Sequence, residues 1–225
     1  MNGFLNLLRA ELLKFRSKLA LLWILLPILL MVLLGSQMDS LIEKDSNRQQ
    51  WSFFFQLLAA HWGVFLATPF IVFWSTHTMV MEQRTWKLLA CQGTSRTVIF
   101  LVKATATLGF ILLQSLLLGI LFFIAGYFLN LQGDIPWTRI LLLVFTFATA
   151  LPIVACQMLL ATFSSRLLVL LIPGIFGHFV CLLAIRIPAG RFFPWSFSLE
   201  TLKLRGPDAF SHPMYIVTAF MVGCL

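Results

Sequence analysis

The chain alternates long apolar runs with short polar connections. Runs near the length needed to cross a bilayer, about 20 apolar residues, are read at 19–35, 54–80, 101–128, 138–162 and 167–185. A further apolar run starts near residue 213 and is only thirteen residues long at Leu225. At helical rise it reaches about 20 Å, against a hydrocarbon core of roughly 30 Å. It is read as a sixth span cut short, and the natural protein is expected to continue beyond Leu225. Residues 2–18 have a different pattern. Phe4, Leu5, Leu8, Leu12 and Phe15 recur at three- and four-residue steps, while Arg9, Glu11, Lys14 and Lys18 lie largely off that stripe. This predicts an amphipathic helix lying in the membrane interface. Its charges serve equally as an anchor for the first span.

Finer marks sit on this frame. Pro27 predicts a kink in the first span. The segment 51–81 is too long for an upright crossing, so it is tilted, broken near Pro69, or begins as an interfacial helix. Trp51 suits an interfacial belt. NLQGDIPW at 130–137 is a turn. TFSSR at 162–166 is short enough to make the fourth and fifth spans a packed antiparallel pair. Gly174 and Gly177 let a neighbouring backbone come close. The stretch 187–212 is long, amphipathic and aromatic, and suits the outer headgroup layer. Together these marks define one transmembrane domain over 1–225: an all-α polytopic membrane protein with six transmembrane helices, the sixth truncated.

Composition narrows the class. Hydrophobic residues make up 60% of the chain and charged residues 11%, against roughly 25% charged in ordinary globular domains. A water-soluble domain this small cannot hide that much apolar surface. Four cysteines in 225 residues do not make a disulfide scaffold. The net charge of +8 would point to nucleic acid in a soluble protein, but here it sorts with the connections. One set holds Arg9, Lys14, Arg16, Lys18, Arg84, Lys87, Arg96, Lys103 and Arg166 against Glu11 and Glu82. The other holds seven basic and six acidic residues. No nucleic-acid partner is expected, and clustering of the first set places the N-terminus in the cytoplasm.

The longest polar connection near that side reads MEQRTWKLLACQGTSRTVIF over 81–100. It has room for a short helix from Arg84 to Ala90, ended at Gly93, with Thr94 or Ser95 capping the next helix. It reads as a docking element for a cytosolic partner or as a juxtamembrane turn that orients the spans. Nucleotide-loop, zinc-protease and nucleophile-elbow motifs are all missing from the sequence. His61, His77, His178 and His212 are scattered, and Cys91, Cys156, Cys181 and Cys224 show no paired spacing. No catalytic, cofactor or metal site is read in the chain. No acid sits in the middle of a span, where an ion-driven carrier needs one. A protein of this kind that moves a substrate needs an external motor.

These residues resemble the permease subunits of ABC-2-type ABC transporters, in particular those of lantibiotic immunity and bacitracin resistance. The resemblance is carried by ELLKFRSK at 11–18 before a proline-bearing first span, by MEQRTWKLLACQGTSR at 81–96, and by FLVKA at 100–104. It covers the whole chain through the six-span spacing. The run QGTSR departs from the family's frequent proline before the final Ser-Arg. The resemblance implies an ABC-2-type exporter fold with residues 2–18 as an elbow helix. It makes 82–96 a cytoplasmic coupling segment seated on an ATPase, with Glu82, Arg84, Trp86, Lys87, Ser95 and Arg96 as coupling residues. It gives 187–212 the place of extracellular re-entrant helices. It further implies cytosolic ATPase subunits carrying ATP and magnesium, a second identical or homologous permease subunit, and contact with the lipid bilayer. The expected location is the bacterial cytoplasmic membrane, multi-pass. The expected function is ATP-driven expulsion of an amphiphilic antimicrobial peptide. The competing readings are an integral membrane enzyme and a non-transporting accessory subunit.

Overall fold

A computed structural model describes residues 2–14, 18–42, 50–80, 95–164, 166–184 and 195. All regular structure among them is helical. The helices are α1 (Asn2–Lys14), α2 (Lys18–Ile42), α3 (Gln50–Leu58), α4 (Thr68–Val80), α5 (Arg96–Phe128), α6 (Trp137–Thr149), α7 (Leu151–Phe163) and α8 (Leu167–Ala184). A π-helical stretch, Ala59–Ala67, joins α3 to α4, so Gln50–Val80 is one continuous element of 31 residues. The expected break near Pro69 is a widening of the helix instead. Pro69 offers no N–H to the preceding turn and its ring crowds the carbonyl four residues back, and a wider winding relieves both.

The expected six transmembrane helices do not stand. Among the described residues, two helices are long and apolar enough to cross a membrane: Gln50–Val80 and Arg96–Phe128. The run 138–162 is two helices of 13 residues each, parted at Ala150. Pro152 lies in the first turn of α7, where its missing N–H costs nothing, so it marks a new start. Each piece reaches only about 20 Å. The apolar stretches Leu25–Met38 in α2 and Leu167–Cys181 in α8 are likewise short. The run from 213 lies outside the described residues. The multi-pass placement in a bacterial cytoplasmic membrane with a cytoplasmic N-terminus falls with the six spans, because the charge split behind it was counted over all of them.

The long helix α5 organises the packing. Its C-terminal half meets α2, α3 and α6 around Leu34, Met38, Phe54, Leu58, Phe122 and Leu143. There the Phe54 and Phe122 rings stack at 5.0 Å. Its N-terminal half meets α4 and α7 around Phe70, Trp74, Phe110, Ile153 and Met158. There Trp74 and Phe110 stack at 4.1 Å. α7 and α8 do touch, but both pack chiefly on α4. Gly174 explains how closely α8 can approach: a methyl group there would collide with Val72 and with the Gln157 amide.

Trp51 is buried rather than placed at an interfacial belt. Its indole Nε1 donates to the Leu131 carbonyl at 2.9 Å, and the Gln132 N–H donates to Gln50 Oε1 at 2.7 Å. These bonds fasten the start of α3 to the turn after α5. That turn needs left-handed backbone at Asn130 (φ 50°) and Gly133 (φ 99°), residue types that adopt it with little strain.

Candidate functional site

The most unusual chemistry is a charge pair inside the fold. Lys103 is the eighth residue of α5 and its side chain is 1% exposed. Its ammonium donates to Glu11 Oε1 of α1 at 3.1 Å and to the Thr78 carbonyl of α4 at 3.3 Å. The Glu11 side chain is 14% exposed. Thr78 is in the last described turn of α4. The Thr78 hydroxyl lies 3.3 Å from that of Thr107, one turn further along α5. Three elements therefore meet at one ammonium group. Desolvation of a pair this enclosed is offset only by good geometry and further hydrogen bonds, and the Thr78 carbonyl supplies one of them.

Position gives the node its interest. α4 ends at Val80 and α5 begins at Arg96. The connection between them leaves just past Thr78 and returns two turns before Lys103. The ammonium thus ties together the two ends that hold the 81–94 segment. α1 is drawn to the same place. Phe4, Leu7, Leu8 and Glu11 face inward and are half-buried, whereas Leu5, Arg9, Leu12 and Leu13 are exposed. The apolar stripe read from the sequence had grouped Leu5 and Leu12 with Phe4 and Leu8. The structure puts them outside and turns Leu7 and Glu11 inward with Phe4 and Leu8.

A second polar contact lies deeper, between α4 and α7. The Thr76 hydroxyl donates to Gln157 Oε1 at 3.2 Å, and both residues are fully buried. Gln157 Nε2 has no hydrogen-bond partner. Among the described residues, no group of three His, Cys, Asp or Glu side chains is placed to hold a metal. Cys181 is buried in the core around Met158, and Cys156 packs against that core.

Of the six coupling residues read from the sequence, Glu82, Arg84, Trp86 and Lys87 lie outside the described residues. Ser95 is the N-cap of α5, its hydroxyl accepting from the Val98 N–H at 3.3 Å. Arg96 is the first residue of α5 and is exposed. Sequence reading missed Lys103 as a site residue and counted it among the anchoring cations. The available signal was its place in FLVKATATL, a lone cation inside an apolar run. Comparison with family models, with curated proteins and with solved structures finds no match.

Proposed function

We propose that the chain is a non-catalytic, lipid-contacting subunit of an ATP-driven transporter, the permease part of an ABC-2-type system. The observation that carries this reading is the outer surface. Val32 of α2, Ile120 of α5, and Ile172, Phe176 and Phe179 of α8 are each more than half exposed. Water serves large apolar side chains poorly, and here they are turned outward on three separate helices. Lipid tails satisfy them, with Gln50–Val80 and Arg96–Phe128 as the elements that enter the hydrocarbon. The buried node adds support, because it holds both ends of the connection on which an ATPase would act. Movement of that connection would pass to the helices through Lys103.

In this reading Glu82, Arg84, Trp86, Lys87, Ser95 and Arg96 contact a cytosolic ATPase that carries ATP and magnesium. A second permease subunit completes the route, and the cargo is an amphiphilic antimicrobial peptide. Affinity purification of the full-length tagged protein in mild detergent tests it. An ATPase should be recovered, and Arg84→Ala or Trp86→Ala should reduce its recovery without changing the amount of the tagged chain. If no nucleotide hydrolase is recovered and crosslinks from 82–96 reach only lipid, the reading fails. Survival of cells expressing both subunits, challenged with peptide antibiotics, tests the cargo.

A further inference from the structure

We propose, resting on the lipid contact put forward above, that the hydrocarbon of a bilayer covers α5 from Thr105 to Ile124. One headgroup layer then holds Tyr127 and Trp137, and the other holds Arg96 and the Glu11–Lys103 pair. α5 has 33 residues and is about 50 Å long. It exceeds the roughly 30 Å of hydrocarbon, so its depth has to be fixed by side chains. The outward face gives the first mark. Between Thr105 and Ile124 the exposed positions are Thr105, Gly109, Leu113, Leu116, Ile120 and Ile124. They recur at steps of three and four, which makes them one stripe along the helix, and none is ionisable. A methyl group added at Gly109 would meet nothing within 4 Å among the described residues, so the stripe is open there.

The two ends of the stripe differ as the edge of a bilayer requires. Among the described Trp and Tyr side chains, two are exposed, Tyr127 at 80% and Trp137 at 61%. Both stand at the C-terminal end of α5. The Trp137 ring lies 4.9 Å from that of Phe123, one turn before Tyr127. Rings with an apolar body and a polar tip settle at headgroup level. At the other end Arg96 is exposed, and Lys103 meets Glu11 at 3.1 Å. Phe123 is 20 residues beyond Lys103. At helical rise that is about 30 Å, the thickness of the hydrocarbon. Gln50–Val80 crosses the same depth in the opposite direction. Its Thr78 carbonyl accepts from Lys103 at one edge, and its Trp51 ring lies against Gly126 at the other. The buried charge pair therefore sits at the edge of the hydrocarbon and not at its middle. A protein partner covering the stripe would not require this match of length.

The test uses the purified full-length chain in vesicles of phosphatidylcholine and phosphatidylglycerol. Cys91, Cys156 and Cys224 are changed to Ser, and the buried Cys181 is kept. Single nitroxide labels are placed at Leu101→Cys, Thr105→Cys, Leu113→Cys, Leu116→Cys, Ile124→Cys and Tyr127→Cys, all exposed sites. Relaxation by oxygen, which gathers in hydrocarbon, is compared with relaxation by a water-soluble nickel complex. The oxygen-to-nickel ratio should peak at Leu113 and Leu116 and fall several-fold towards both Leu101 and Tyr127. A peak displaced to Thr105 or Ile124 overturns the assigned depth and leaves lipid contact standing. Labels that are immobile and reached by neither reagent overturn it too, because protein then covers the stripe. Equal nickel access at every site overturns both the depth and the lipid contact of α5. Recovery or loss of an ATPase moves none of these profiles, so the transport reading and the depth fail separately. If the substituted background fails to fold, Leu116→Lys and Tyr127→Lys in the otherwise unaltered chain decide. The first should lower recovery in the alkaline-carbonate pellet several-fold and the second should leave it unchanged, and equal losses overturn the depth.

Discussion

Gln157 has two polar groups and one partner. Thr76 meets its Oε1, and its Nε2 is left over. Turning the amide over only exchanges which end is orphaned. Thr76→Val should therefore be costly, about 1–3 kcal/mol, because it strands both ends of a buried amide. Adding Gln157→Leu should recover most of that loss, since no polar group of the pair then remains. Denaturant unfolding in detergent reads both, and a double variant less stable than Thr76→Val alone would contradict this account. Gly126 is constrained by shape instead. A methyl group there collides with the Trp51 ring, and that ring is held by its own bond to the Leu131 carbonyl. Gly126→Ala is expected to destabilise by about 1–3 kcal/mol, as overpacked cores do, visible as a lowered midpoint in the same unfolding assay.

At the scale of elements, α3 is seated by a staple whose two parts can be separated. Trp51→Phe keeps most of the ring packing against Phe122, with centroids at 5.7 Å, and loses the hydrogen bond. That should cost about 1 kcal/mol. Trp51→Ala loses both and should cost about 3–5 kcal/mol. Equal losses in the two variants, measured by thermal melting, would mean that the bond rather than the ring seats α3. The same elements show what the sequence does and does not disclose. Ser95 was readable as a cap because capping is local: a hydroxyl beside the next turn's free N–H groups. Gly174 and Gly177 were readable as close-approach points for a similar reason, and both lack room for a methyl group beside Val72 and Trp195. The break at Ala150 was hidden because hydropathy runs straight through it, and only Pro152 marks a new first turn. The inward face of α1 was hidden for a different reason. It meets α5 at Lys103, 92 residues from Glu11, and periodicity within thirteen residues carries no information about a distant partner. The coupling residues 82–87 lie outside the described residues, so that part of the site stands on the sequence alone.

At the scale of the whole molecule, the outward faces of α2, α5 and α8 set the strongest demand on surroundings. If lipid covers them, a charge placed at the centre of such a face should be penalised by about 2.5–3.5 kcal/mol. Ile120→Lys on α5, an exposed position of a helix long enough to cross, is expected to shift the chain from the membrane pellet towards the alkaline-carbonate supernatant. Gln132→Lys, in the exposed turn after α5, should leave it in the pellet. Equal behaviour of the two would remove lipid as the cover for α5. The separation of Glu11 from Lys103 has a further consequence, for synthesis. Gln50 meets Gln132 across 82 residues, Thr76 meets Gln157 across 81, and Glu11 meets Lys103 across 92. At about 5–20 residues per second, the ribosome delivers Lys103 roughly 5–20 s after Glu11 has been made. Through that interval the half-buried face of α1 has not yet met α5. The docking of α1 therefore waits on the synthesis of α5, and a codon-level pause between residues 14 and 103 would lengthen that wait.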